Sequence, residues 1–448
     1  MLSFKNVFRA TVLPINRALC GQDSLAKQRF FALLLIIIYS AAVARVTPDA
    51  KKVPGVVIDH CPASSGKFIG SPSLLILANG DYLASHDFFG PKSGYAENPT
   101  TVVFRSANQG STWRETARFS GALWGNLFLH RGVIYWLGVN REYGQIVIRR
   151  SDDGGINWTV PLDAQSGRLT EKDGFHTAPV TVIERDGKLW RAVEDANGGT
   201  EWGNRYRAGM ISIPIDANLL VATNWTFSNF VPRNPGWLDG DFNGWLEGNA
   251  VETRDGKVVD VLRVDTSRYP EKAAIAEVTN AGRNFFFSPT NGFVDFPGGA
   301  KKLTIRFDPK SNYYWSITSI VLPEDEQKDR PGGIRNTLAL IRSYDLRRWD
   351  VRAVLLHDPD SKRHGFQYAD WLFDGDEIIA VVRVAFDDAE GDAHNYHDAN
   401  YMTFYKWKNF KDLTLGEERK QSPEKQDGQR LMRQTSKSSL YQGGLPVH

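Results

Sequence analysis

The chain has 448 residues, 42% of them hydrophobic, 24% charged and 12% aromatic, with a formal net charge of +2. That composition excludes wholesale disorder and a polytopic membrane protein. The balance of 54 basic against 52 acidic residues argues against a dedicated nucleic-acid binder, and two cysteines exclude a disulfide framework or a thiolate cluster.

In chain order, the first feature is an address. Phe30 to Ala44 reads FFALLLIIIYSAAVA, an apolar run too short for a comfortable membrane span. Five basic residues precede it, and Ala42-Val43-Ala44 is a small-residue cleavage site. Residues 1–44 therefore read as a secretory signal, with a retained anchor as the alternative. Cleavage would remove five positive charges and one negative, taking +2 to −2, and would leave Cys61 alone. The expected location is secreted or periplasmic, without stable membrane insertion, and the expected state is a monomer.

From residue 52 to 410 the pattern is short β-type runs: Ser73–Leu77, Thr101–Phe104, Gln145–Arg149, Lys257–Val264, Leu303–Phe307 and Glu377–Arg383. Hairpin dipeptides separate them: Asn79-Gly80, Arg131-Gly132, Asp186-Gly187, Asp255-Gly256 and Asp374-Gly375. The glycines are spaced by 52, 55, 69 and 119 residues, the last interval being about two units. A period of pure strand at this length predicts an all-β β-propeller over 45–410, seven-bladed, with six as the other count. Gly55–Ile58 and Tyr401–Lys406 are placed to close the ring. Residues 411–448 are polar, and a disordered tail is expected there.

A second marker keeps the same rhythm. Ser151 to Trp158 fits S-x-D-x-G-x-[TN]-W, and Ser106 to Trp113 repeats it with Asn108 for Asp. Weaker copies run from Asn280 to Phe285 and from Ser343 to Trp349. These resemble the Asp boxes of sialidase-type propellers. In such hairpins Asp or Asn caps a tight turn, Gly supplies a positive φ and Trp packs between strands. They speak for fold and are silent on chemistry.

The sialidase likeness weakens at the site. Sialidases open with R-I-P and clamp the sialate carboxylate with three arginines; here Gly70 stands at the first arginine's place. Arg263, sixteen residues after Glu247, and Arg335 fit the other two positions. Counting back from Asp374-Gly375 puts Phe366 where sialidases carry their tyrosine nucleophile, with Tyr368 two residues on. Two arginines without the third suggest a different acidic sugar.

Longer motifs carry a second resemblance. Ile69-Gly-Ser-Pro-Ser73, Ala84-Ser-His-Asp-Phe-Phe-Gly90, Gly365-Phe-Gln-Tyr-Ala-Asp-Trp371 and His394-Asn-Tyr-His-Asp-Ala-Asn400 resemble the propeller family of L-rhamnose-α-1,4-D-glucuronate lyases, formerly described as α-L-rhamnosidases. The resemblance implies removal of terminal rhamnose from arabinogalactan-type polysaccharide by β-elimination, and it points to His86 as the essential histidine. The alternatives are an exo-glycoside hydrolase, rhamnosidase or sialidase-like, and a non-catalytic carbohydrate-binding propeller.

Elimination beside a uronate needs a carboxylate clamp, a base for the C5 proton and an acid for the departing oxygen. Arginine suits the first task, histidine and tyrosine the others. The candidates are thus His86, His176 and Tyr368 for catalysis, and Arg263, Arg335, Glu247 and Asn249 for the substrate. Each has a plain structural alternative: a strand cap for His86, a turn for His176 and Asn249, core packing for Tyr368, an ion pair for Arg263 with Glu247. No cofactor is evident. His394, His397, Asp398 and Asn400 form the densest polar cluster, where calcium in the central channel is the metal to consider, although no standard ligand spacing is met.

Overall fold

A computed structural model describes residues 52–415; the signal segment and the tail from 416 onward lie outside the described residues. Six antiparallel sheets follow one another along the chain as the blades of a propeller. Their first, innermost strands include Ser73–Ile76, Leu123–His130, Ile183–Arg185, Gly244–Glu252, Leu303–Asp308 and Gly365–Asp374. The blade number is six, not the favoured seven. The hairpin markers sit where expected, but long connections, such as 215–225 in the third blade and 320–336 in the fifth, lengthen individual blades.

The ring closes as the two terminal runs predict. Val56–His60 is the outer strand of the sixth blade and pairs antiparallel with Tyr401–Lys408, Val56 opposite Phe404. The packed body reaches slightly past the boundary expected at 410, since Phe410 and Leu413 join the core around Trp315, Trp371 and Trp407. Among the described residues no helix is long and apolar enough to cross a membrane.

The Asp boxes fold as their residues dictate. Asp153 Oδ1 accepts the backbone N–H groups of Ile156 and Asn157, and Trp158 Nε1 donates to the Gly155 carbonyl at 3.0 Å. Asn108 caps the turn before Thr112 in the same manner at 2.9 Å. Gly110 has φ +87°, and a Cβ there would lie 2.0 Å from the Phe404 ring. Only glycine lets this hairpin seat against the closing strand.

Polar staples join each blade to the next around the ring. Leu127 N donates to Ser73 Oγ, Arg191 Nε to Asn126 Oδ1, and Thr181 Oγ1 to the Ala250 carbonyl. Asn249 Nδ2 donates to the Leu303 carbonyl, Thr304 Oγ1 to that of Ala369, and Leu74 N to Asp370 Oδ2. Buried polar groups at the channel wall are satisfied by the next blade, which fixes blade spacing.

Candidate functional site

Three innermost strands break register at equivalent points. Pairing skips between Leu123 and Asn126, between Leu246 and Asn249, and between Gln367 and Asp370. At each bulge a non-glycine residue takes positive φ: Trp124 at 52°, Glu247 at 57° and Tyr368 at 55°. Such backbone costs about 1–3 kcal/mol and concentrates where a side chain must be re-aimed. All three side chains line one cavity of about 320 Å³.

The local sequence explains the bulges. Trp124-Gly125-Asn126, Glu247-Gly248-Asn249 and Tyr368-Ala369-Asp370 share one pattern: a projecting residue, a small residue, a polar staple. The small residue is required, because a Cβ at Gly125 would meet Trp136 at 2.2 Å and one at Gly248 would meet Asp260 at 2.2 Å. The Tyr368 bulge is held further by Lys302 Nζ and Thr304 Oγ1, which both donate to the Ala369 carbonyl at 2.9 Å.

The centre of the cavity is a hydrogen-bonded chain. Tyr368 Oη donates to Glu247 Oε1 at 2.7 Å, and Arg263 Nη1 donates to Glu247 Oε2 at 3.0 Å. Burial would push the Glu247 carboxyl up, but Arg263 and the Tyr368 hydroxyl outweigh it and hold it below its ordinary value. Burial and the Glu247 charge raise the Tyr368 phenol.

Two further guanidiniums flank Tyr368. Arg335 lies 5.8 Å from its ring centroid and Arg383 4.6 Å, and Arg383 also lies 4.6 Å from Phe89. Arg335 donates to Gln367 Oε1 and the Gly332 carbonyl, and Arg383 to the His397 carbonyl. Burial lowers both, Arg383 to about 10. Among the described residues neither is in an ion pair with a carboxylate, and Arg383 Nε is buried without a hydrogen-bond partner.

The cavity also carries His176 and aromatic rings. His176 Nδ1 lies 3.2 Å from Glu194 Oε2, and the ring packs on Trp124 and Tyr206 with centroids 4.7 Å away. Glu194 Oε1 also accepts the N–H of Gly248, so one carboxylate orients the histidine and braces the Glu247 bulge. With Nδ1 engaged by Glu194, Nε2 is the ring nitrogen left to meet a ligand. Glu142 lines the same cavity, and burial raises its carboxyl.

Five of the seven expected residues therefore line one cavity: His176, Tyr368, Arg263, Arg335 and Glu247. Tyr368 lines the cavity, whereas Phe366 sits in the core. Two expectations are corrected in position. Asn249 is fully buried, accepts from Ile305 N and donates to Leu303, so it joins two blades and does not face a sugar. His86 is 1% exposed and outside the cavity. Strand alternation turns it away from the face that Asp87 occupies, and its Nε2 lies 2.8 Å from Asp59 Oδ2 on the closing strand. His86→Ala should accordingly lower the melting temperature and leave turnover within about twofold in the protein that remains folded, since removing one partner of a buried contact acts on stability.

Gly70 explains the missing third arginine. A Cβ there would lie 1.7 Å from Asp87 Oδ1, whose carboxylate accepts from the backbone N–H groups of Ser71 and Trp124. Burial pushes Asp87 up to about 6 against the pull of those donors. Arg383, from the second strand of blade six, supplies a third guanidinium from another direction.

His394 and His397 each contact Asp398, at 2.7 and 2.9 Å, and Asn400 bonds Phe386 and Asp388 instead of joining them. Among the described residues no three His, Cys, Asp or Glu side chains converge as a metal site would require.

No family model matches the chain, and no curated protein matches its sequence. Solved structures do resemble it. A Hadza microbial sialidase aligns with TM-score 0.52 at 15% identity, covering 80% of this chain and 70% of that one. A mutant of the α-L-arabinofuranosidase arb93a from Fusarium graminearum, in complex with an iminosugar inhibitor, gives 0.51 at 11% identity, covering 79% and 97%. A Dyadobacter fermentans protein of unknown function gives 0.51 at 15%, covering 80% and 99%. The chain has a sialidase-like six-bladed propeller fold.

Four contributors escaped the sequence reading: Glu142, Arg383, Trp124 and Trp202. The repeated bulge pattern would have revealed Trp124. Arg383 was visible as a charge ending an apolar strand, the same signal that singled out Arg263.

Proposed function

We propose that the protein is a carbohydrate-active enzyme that binds a hexuronic acid at the end of an oligosaccharide and cleaves the adjoining glycosidic bond. The observation that carries this reading is the pair Arg335 and Arg383, buried together and outside every ion pair found among the described residues, with Asp87 and Asp398 acting on Arg383 and Glu247 on Arg335 only from beyond contact distance. Buried cations need a counter-charge, and a planar ligand carboxylate matches the guanidinium fork. The cavity, about 320 Å³, has room for a sugar acid beside the two guanidiniums. The solved neighbours named as a sialidase and an arabinofuranosidase support a sugar as the ligand.

In this reading Tyr368 is the reacting group. Its proton passes to Glu247 as the phenol oxygen attacks the anomeric carbon, a variant of retaining hydrolysis that uses tyrosine in place of a carboxylate nucleophile. Glu142, whose carboxyl burial raises, gives its proton to the departing oxygen. Water then attacks the anomeric carbon of the glycosyl-tyrosine, giving its proton to the Glu142 carboxylate, and the departing phenolate takes back its proton from Glu247.

The His176–Glu194 contact favours a second reading, the β-elimination implied by the lyase resemblance. There Arg335 and Arg383 neutralise the glucuronate carboxylate, His176 Nε2 removes the C5 proton and Tyr368 protonates the departing rhamnose oxygen. Product analysis separates the two. The purified protein is incubated with glucuronate-capped and with rhamnosyl-glucuronate-capped arabinogalactan oligosaccharides. Free glucuronate without near-ultraviolet absorbance is the expected result, with activity falling as pH rises through the raised value of Glu142. Rhamnose together with an unsaturated uronate would establish elimination instead. No product from either set would overturn the enzymatic reading.

A further inference from the structure

The cavity is asymmetric. The guanidiniums come from blades four, five and six, whereas Trp124, Tyr143, Trp202 and Tyr206 come from blades two and three. Trp202 stands out because it is 44% exposed while its neighbours Tyr206 and Arg263 are almost fully buried. A tryptophan face left open in a cavity wall is an unfilled apolar surface.

The loop that carries Trp202 is built to hold it still. Residues 196–206 join two strands of the third blade, and Gly198 N and Arg205 N close backbone bonds at 2.8 and 3.0 Å. Gly203, with φ +80°, packs against the start of blade four, where a Cβ on Gly244 would lie 2.1 Å from its carbonyl. Tyr206 buttresses the indole edge-on at 87°, and the Arg263 guanidinium lies 5.5 Å from the ring centroid. The ring is thus fixed before any ligand arrives, so stacking on it costs little ordering entropy.

Resting on the hexuronate reading above, we infer that Trp202 is the platform for the sugar on the other side of the scissile bond, a neutral pyranose that lays its C–H face on the indole. A hexuronate held by Arg335 and Arg383 fills the cationic half, and the aromatic half accepts the next ring. The recognised unit is then an acidic–neutral disaccharide, not an isolated uronic acid.

Calorimetry on the full chain carrying Tyr368→Phe, which blocks turnover, tests this. The probes are methyl glucuronide, a glucuronyl-galactose disaccharide and phenyl glucuronide. The disaccharide should bind about tenfold more tightly than methyl glucuronide, and Trp202→Ala should erase that advantage while Trp202→Phe keeps most of it. Equal affinity for the two sugars before substitution would overturn the inference, as would an advantage for phenyl glucuronide that exceeds the disaccharide's. A parallel loss on both sugars in Trp202→Ala would likewise reject the platform and make Trp202 a structural support. Failure of all three probes to bind would remove the hexuronate reading itself.

Discussion

Tyr368→Phe is expected to reduce turnover by roughly 10²–10⁴-fold while leaving KM within a few-fold. The substitution removes one oxygen. The ring remains between Arg335 and Arg383, whose contacts are with its face, so the carboxylate clamp is preserved. What disappears is the hydroxyl bonded to Glu247 at 2.7 Å. Both readings of the chemistry need that hydroxyl, as nucleophile or as acid. Steady-state kinetics check it: unchanged turnover would make Tyr368 a packing residue and remove the mechanism.

Glu247→Ala is expected to be the most damaging single change, because it acts on stability and on chemistry together. Glu247 and Arg263 are each 3% exposed at the side chain. Deleting the carboxylate leaves a buried guanidinium with the Ala300 carbonyl as its one remaining hydrogen-bond partner among the described residues. Breaking a buried pair from one side costs about 3–5 kcal/mol. Glu247→Gln retains the shape and should cost less, while still removing the base for Tyr368. The same group imposes a pH dependence on stability. Its folded-state value is lowered, so its contribution is fully present above the ordinary carboxylate range of about 4–5 and is lost as pH falls through the lowered value. Denaturant titrations across pH should show that loss in the native protein and a smaller slope in Glu247→Gln.

Much of this was readable from the chain. The Asp boxes and hairpin dipeptides announce their structure locally, within eight residues or fewer, so the propeller and its ring closure follow from the sequence. The blade number was less legible, because loop insertions distort the period without touching the strands. At the site, Arg263 and Glu247 showed themselves as charges inside apolar strands. Tyr368 was named among the catalytic candidates, but its bulge was not foreseen, since no local residue announces a bulge as plainly as Asn-Gly announces a hairpin. His86 misled for a related reason. Its motif runs along a strand whose alternate residues face opposite ways, and Asp87, one residue on, lies under the cavity floor beside Gly70 and Trp124. Arg335 was named from a loop whose path no periodicity predicts.

The central claim is that Arg335 and Arg383 await a carboxylate. Titration calorimetry with methyl glucuronide and the neutral methyl glucoside tests it most directly. The account predicts that the acid binds at least about tenfold more tightly at neutral pH, and that Arg383→Leu closes the gap. Equal affinity for the two sugars, or a preference that survives Arg383→Leu, would contradict it.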